Sequence, residues 1–125
     1  MIRQAVIANE LPPPIGPFSH AVRARSFVFL SGQVGVDPST GALVEGDAAR
    51  QTEQALTNLS AVLRAAGKSL ADVVKTTVFL VDMGDFAAMN SVYARHFSTP
   101  HPARTTVSVA ALPLGAAVEI EAVAG

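Results

Sequence analysis

An α+β fold, a single mixed β-sheet with two helices packed on one face, is predicted by three features of this 125-residue chain. Two segments repeat apolar residues at helical spacing. Six shorter segments are rich in β-branched and aromatic residues or alternate polar with apolar, and the two classes interleave in the order β-β-β-α-β-α-β-β. Each helix carries one apolar stripe, so both can cover the same sheet face and leave the other face for a partner.

Ala5 to Ala8 reads as a short strand, after which Pro12, Pro13 and Pro14 force an extended segment through Ile15-Gly16-Pro17-Phe18. Ala21 to Arg25 and Ser26 to Leu30 read as tightly joined strands because Val and Phe recur with period two, the second ending at Ser31-Gly32-Gln33. Asp37-Pro38-Ser39-Thr40-Gly41 has turn chemistry: an Asp that bonds its own backbone, a Pro that presets φ and a Gly free to take positive φ. From Asp47 to Ala66, positions Ala48, Thr52, Ala55, Leu56, Leu59, Val62, Leu63 and Ala66 keep the 3.6-residue spacing, and Gly67 is placed to end the helix. Ser69 with Asp72 forms a capping-box-like turn, and Val73 to Val81 reads as a central strand. Asp85 is placed to cap a second helix through Phe97, with the stripe Phe86, Met89, Tyr93 and Phe97, before Pro100 and Pro102. Thr105 to Ala111 and Ala117 to Ala124 alternate polar and apolar residues around the Leu112-Pro113-Leu114-Gly115 corner, which predicts adjacent strands.

No linker or repeat divides the chain, so residues 1–125 are expected to form one domain. Half the residues are apolar, 15% are charged and the mean hydropathy is +0.37, enough apolar material for a core and too much for a disordered chain. With no Cys, a disulfide framework, a Cys-ligated metal and a thiol nucleophile are excluded, and a reducing compartment is suited. Nine Lys and Arg against ten Asp and Glu, a pI near 6.3 and no basic cluster argue against a nucleic-acid partner. The longest uncharged stretch, Thr105 to Val118, contains Pro113 and Gly115 and falls short of the roughly 18 residues that span a bilayer. Val6, Ile7 and Ala8 are too few for the apolar core of a secretory signal, so a cytoplasmic protein is expected. The apolar excess in so small a chain also predicts an oligomer with sites at its subunit interfaces.

The common catalytic signatures are missing: there is no nucleophile elbow, no His-Glu-x-x-His, no phosphate loop and no dinucleotide fingerprint. His20, His96 and His101 share no face, so no metal is assigned. Arg104 stands at the start of a strand, where it serves either a surface salt bridge or a bidentate grip on a small carboxylate that Lys cannot reproduce. Glu119 and Glu121 fall on one strand face, either as its polar side or as a partly desolvated base that activates water. Ser31-Gly32-Gln33 can present backbone N–H groups at a turn, Asn90 is a polar group on the second helix, and Phe18 is either pocket wall or core.

Taken together, Ile15-Gly16-Pro17-Phe18, Leu30-Ser31-Gly32-Gln33, Lys75-Thr76-Thr77-Val78-Phe79-Leu80, Asn90-Ser91-Val92-Tyr93, Pro102-Ala103-Arg104 and Glu119-Ile120-Glu121-Ala122 resemble the RidA/YjgF reactive-intermediate deaminase family in order and spacing, over almost the whole chain. The resemblance implies a chorismate-mutase-like fold, a homotrimer with pockets between subunits and no cofactor. It also implies hydrolysis of 2-aminoacrylate and its imine, 2-iminopropanoate, to a 2-oxo acid and ammonia. By the same resemblance, Arg104 matches the arginine that binds the substrate carboxylate, and Glu119 the glutamate that orients the attacking water. Ser31 and Gly32 match the strand-end part of the pocket, and Asn90 a pocket asparagine. Phe18 stands where the deaminase subgroup often has Tyr, so the phenolic hydroxyl is lost, and Thr106 where it commonly has Cys, offering a hydroxyl there. Two other readings remain: a non-enzymatic small-carboxylate-binding or chaperone-like trimer, and a ribonuclease or translation inhibitor, which the charge disfavours.

Overall fold

The computed structural model describes residues 2–125. In chain order the elements are β1 (Gln4–Val6), β2 (Ala21–Ala24), β3 (Phe27–Val34), α1 (Ala48–Ala65), β4 (Val73–Leu80), α2 (Phe86–His96), β5 (Ala103–Ser108) and β6 (Val118–Ala124). The strands make one mixed sheet in the order β1-β2-β3-β6-β4-β5, antiparallel throughout except for the parallel β4–β5 pair. Both helices lie on one face, where Leu56, Leu59, Leu63 and Met89 meet Val78, Leu80, Val118 and Ile120, all essentially removed from solvent.

α1 forms where its stripe predicts. Asp47 accepts the Arg50 N–H at its start, and Gly67, at φ 75°, ends it, with the Lys68 N–H reaching back to the Leu63 carbonyl. Two buried side chains then tie α1 to the sheet: the Asn58 amide donates to the carbonyls of Val34 and Val36, and Gln51 Oε1 accepts the Ala117 N–H just ahead of β6. These bonds hold the end of β3 and the start of β6 side by side.

The last two strands are not adjacent: β4 lies between β5 and β6. Chain proximity argues for a hairpin, but Val118, Ile120, Ala122 and Ala124 are all buried, so β6 takes the centre and is flanked on both sides. β5, without a fully buried residue, takes the edge and runs parallel to β4 because α2 carries the chain back across the sheet. Nor does the strand end at Ser31-Gly32-Gln33. β3 runs on to Val34 through a bulge, since Leu30 faces Ala122 while Gln33 faces Ile120. β1 stops at Val6, and the Ala8 N–H is instead taken by His20 Nδ1. Asp85 makes no side-chain cap. Asp82 accepts the Gly84 N–H and starts a 3₁₀ turn, Met83–Asp85, that leads into α2. No helix among the described residues is long and apolar enough to cross a membrane.

Candidate functional site

Residues paired across a ladder point to the same side of the sheet, so register assigns every strand side chain to a face. Thr76, which is buried, pairs with Arg104 on one side and Ala122 on the other, and Val78 pairs with Thr106 and Ile120. Arg104 and Thr106 are therefore on the helix face. Phe79 pairs with Glu119, and Thr77 with Thr105 and Glu121, which puts both glutamates on the open face. Within one chain, the two residues with the best claim to chemistry lie on opposite sides of the sheet.

On the helix face, Arg104 projects from the edge strand towards α2. Its Cζ stands 4.8 Å from the centroid of the Tyr93 ring and 5.7 Å from that of Phe86, both within cation–π range. Tyr93 is fixed in turn: its hydroxyl is 2.7 Å from Thr76 Oγ1, and its ring packs 4.5 Å from that of Phe97. Burial pushes the Tyr93 hydroxyl above its usual pKa, against the lowering influence of Thr76 and Arg104. Among the described residues, the Arg104 guanidinium has no carboxylate partner and no hydrogen bond, although it is half-buried. A fork with both aromatic contacts made and its donors unspent is suited to an anion from outside. Asn90, Tyr93, His101, Pro102 and Arg104 line the adjoining cleft of about 330 Å³. Two residues further along β5, Thr106 Oγ1 is buried without a partner among the described residues.

On the open face, the β3 bulge brings Gly32 against Glu119. A Cβ built on Gly32 would sit 2.6 Å from Glu119 Oε2, so glycine is what allows the carboxylate its position. Burial, and after it the charge of Glu121 two residues on, raises the Glu119 pKa above the ordinary 4.5. Pro13, Pro14, Ile15, Phe18, Leu114 and Glu119 are among the residues around a cleft of about 340 Å³. Phe18 is half exposed there, a wall residue and not core. The proline segment that carries it is pinned by His20, whose Nδ1 accepts the Ala8 N–H and whose Nε2 donates to the Pro12 carbonyl. Ser31 serves the same purpose, its hydroxyl donating to the Ser19 carbonyl at 2.6 Å.

Of the residues singled out in the sequence, Phe18, Gly32 and Glu119 gather at one cleft and Asn90 and Arg104 at the other, with Thr106 beside Arg104 on the same strand face. The aromatic support of Arg104 carries no distinguishing mark in the sequence. Phe86 and Tyr93, seven residues apart on the second helix, read as core stripe, yet Phe86 is 37% exposed and both rings face the guanidinium. His96 bonds Glu53 and so links the two helices.

A family model described as Endoribonuclease L-PSP matches residues 8–125. The 2-iminobutanoate/2-iminopropanoate deaminase of Mus musculus is 48% identical over 124 residues, covering 99% of this chain and 92% of that protein. Among solved structures, RidA from the Antarctic bacterium Psychrobacter sp. PAMC 21119 superposes with a TM-score of 0.92 at 45% identity, over 97% of this chain and 98% of that one. TdcF of E. coli with bound serine superposes with a TM-score of 0.90 at 40% identity, over 97% of each chain.

Proposed function

The chain belongs to the RidA/YjgF family, and on that premise we propose that it hydrolyses enamine and imine intermediates of the 2-aminoacrylate and 2-iminopropanoate type to 2-oxo acids and ammonia. The observation that carries this reading is the full-length, 48% identity to a relative named for that reaction. At this chain's own residues, it is supported by an arginine with no carboxylate partner among the described residues and by a partly desolvated glutamate.

The chemistry needs little more. The enamine takes a proton at its terminal carbon and becomes the imine, already electrophilic at C2. Arg104 holds the carboxylate bidentately and so fixes C2. Glu119, more basic than an ordinary carboxylate, takes a proton from the water that adds to C2. The resulting carbinolamine is protonated at nitrogen and expels ammonia, leaving the carbonyl. Water is consumed, and no electron is gained or lost.

The separation of Arg104 and Glu119 across the sheet supports a site made by two protomers, one supplying Arg104 and the other Glu119. The assembly we infer is a homotrimer with a pocket at each interface. Phe27 and Phe29, both more than two-fifths exposed on the open face, support burial of that face against other copies. The ligand class is a small 2-imino or 2-oxo acid, and the absence of Cys suits the cytoplasm, where we place the chain. A net charge of −1, with a single guanidinium at the cleft, offers no cationic track for an RNA backbone, so imine hydrolysis is preferred over the nuclease that the family model's description suggests.

The test is kinetic. An amino-acid oxidase generates 2-iminopropanoate, semicarbazide traps it, and semicarbazone formation is followed with wild type, with Arg104→Ala and without protein. Suppression by wild type alone is expected. Equal suppression by Arg104→Ala removes this site from the reaction, and no suppression by wild type, with binding of 2-oxo acids retained, favours a carboxylate-binding module.

A further inference from the structure

Arg104 stands on an edge strand, where a long side chain has the rotamer freedom that is costly to freeze when a ligand binds. Three contacts remove that freedom, and they form a closed circuit. Thr76 is directly opposite Arg104 in the β4–β5 register, Thr76 Oγ1 is 2.7 Å from the Tyr93 hydroxyl, and the Tyr93 ring centroid is 4.8 Å from Arg104 Cζ. The circuit passes from β4 to α2 to β5 and back, and its first two members are buried, Thr76 fully and Tyr93 to within 5% exposure. Attraction between the ring and the guanidinium uses charge and quadrupole, so it holds the cation without spending its N–H donors. We propose that Tyr93, tethered to Thr76, is the positioning residue that sets the Arg104 guanidinium for the substrate carboxylate. Phe86 adds a second, more distant ring at 5.7 Å and is not tethered. The inference rests on the imine-hydrolase reading of the same site.

Calorimetric affinity for 2-oxobutanoate and steady-state kinetics with 2-iminopropanoate test it on wild type, Tyr93→Leu and the double variant Thr76→Val/Tyr93→Phe. The double variant removes both hydroxyls together, so no buried hydroxyl is left unpaired. Tyr93→Leu is expected to weaken 2-oxobutanoate about tenfold and to raise KM alike, with kcat within about threefold of wild type. The double variant, which keeps a ring but frees it, is expected to lose about threefold in affinity. In an Arg104→Gln background, where no cation remains to be held, the same substitutions should change affinity no further. Losses of equal size in both backgrounds would mean a general structural role and overturn the proposal. So would a folded Tyr93→Leu within about twofold of wild type. Should Tyr93→Leu fail to fold, the double variant decides, and unchanged affinity in it overturns the proposal. Wild type that binds 2-oxobutanoate but leaves the imine untouched overturns the hydrolase reading instead, and Tyr93 is then judged on affinity alone.

Discussion

The Arg104 cleft and the Glu119 cleft are built by opposite means. Arg104 owes its position to a helix: aromatic side chains of α2 stand over the guanidinium, and a buried Tyr93–Thr76 bond ties helix to sheet. Glu119 owes its position to backbone: a bulge in β3, a glycine with no Cβ to obstruct it and a proline segment pinned by His20 and Ser31. The cation is half-buried with donors unspent, and the carboxylate is desolvated with its pKa raised. In the proposed reaction neither half adds water to an imine by itself, because Arg104 is assigned the grip on the carboxylate and Glu119 the activation of water. Because the sheet separates them, the proposed reaction requires a second protomer to bring the two together.

The largest expected effect comes from mixing protomers. Arg104→Ala alone should lower kcat/KM about a thousandfold, since a bidentate, charge-assisted contact is lost. Co-assembled in equal amounts with Glu119→Gln protomers, random mixing leaves about one interface in four with both intact residues, so about a quarter of wild-type activity should return. No recovery in co-expressed, co-purified assemblies would refute the two-protomer site.

Glu119→Gln by itself should cost about a hundredfold in kcat/KM. In wild type, kcat/KM should rise with pH through a value above the ordinary carboxylate range, and this limb should vanish in the variant. Stability moves the other way. The fold raises the Glu119 pKa and so favours its protonated form, a contribution fully present below the ordinary 4.5 and lost as pH rises through the raised value. At neutral pH, Glu119→Gln removes a desolvated charge and its repulsion with Glu121, so the thermal midpoint should rise, as calorimetry at pH 7 can check.

Gly32→Ala separates positioning from folding. Its Cβ would meet the Glu119 side chain from Oε2 at 2.6 Å back to Cγ at 3.0 Å, with no backbone among these contacts, so the side chain can rotate aside, but doing so displaces the carboxylate. A loss of about tenfold in kcat, with the thermal midpoint nearly unchanged, is expected, and an unfolded Gly32→Ala would show that the glycine serves the bulge itself. The smallest effect should come from Phe18→Tyr at the cleft wall, an increase of no more than about fivefold in kcat/KM for small imines, with less gain for bulky ones. A fall across all imines would mean that the added hydroxyl finds no partner there.

Much of this could be read along the chain because it depends on local periodicity. α1 with its Asp47 and Gly67 boundaries, the α2 stripe and the alternation in β6 all follow from which side chains must leave water. Phe18, Ser31, Gly32, Asn90, Arg104, Thr106 and Glu119 stand out as a candidate set only through resemblance, since a strand-end arginine or a paired glutamate looks the same in sequence whether it serves a salt bridge or a substrate.

The amino-acid sequence by itself determined the element types, the alternation along β6 and the residue types available for chemistry, because these depend on neighbours within a turn or two. Strand order did not follow from it. Pairing β6 with β3 and β4, and not with β5, depends on which strand must bury its face most completely, a competition among distant segments. The tertiary structure alone placed Tyr93 over Arg104, laid Glu119 against Gly32 and put the two charges on opposite faces. All three are set by register and packing between separate elements, and none leaves a periodic trace in the sequence.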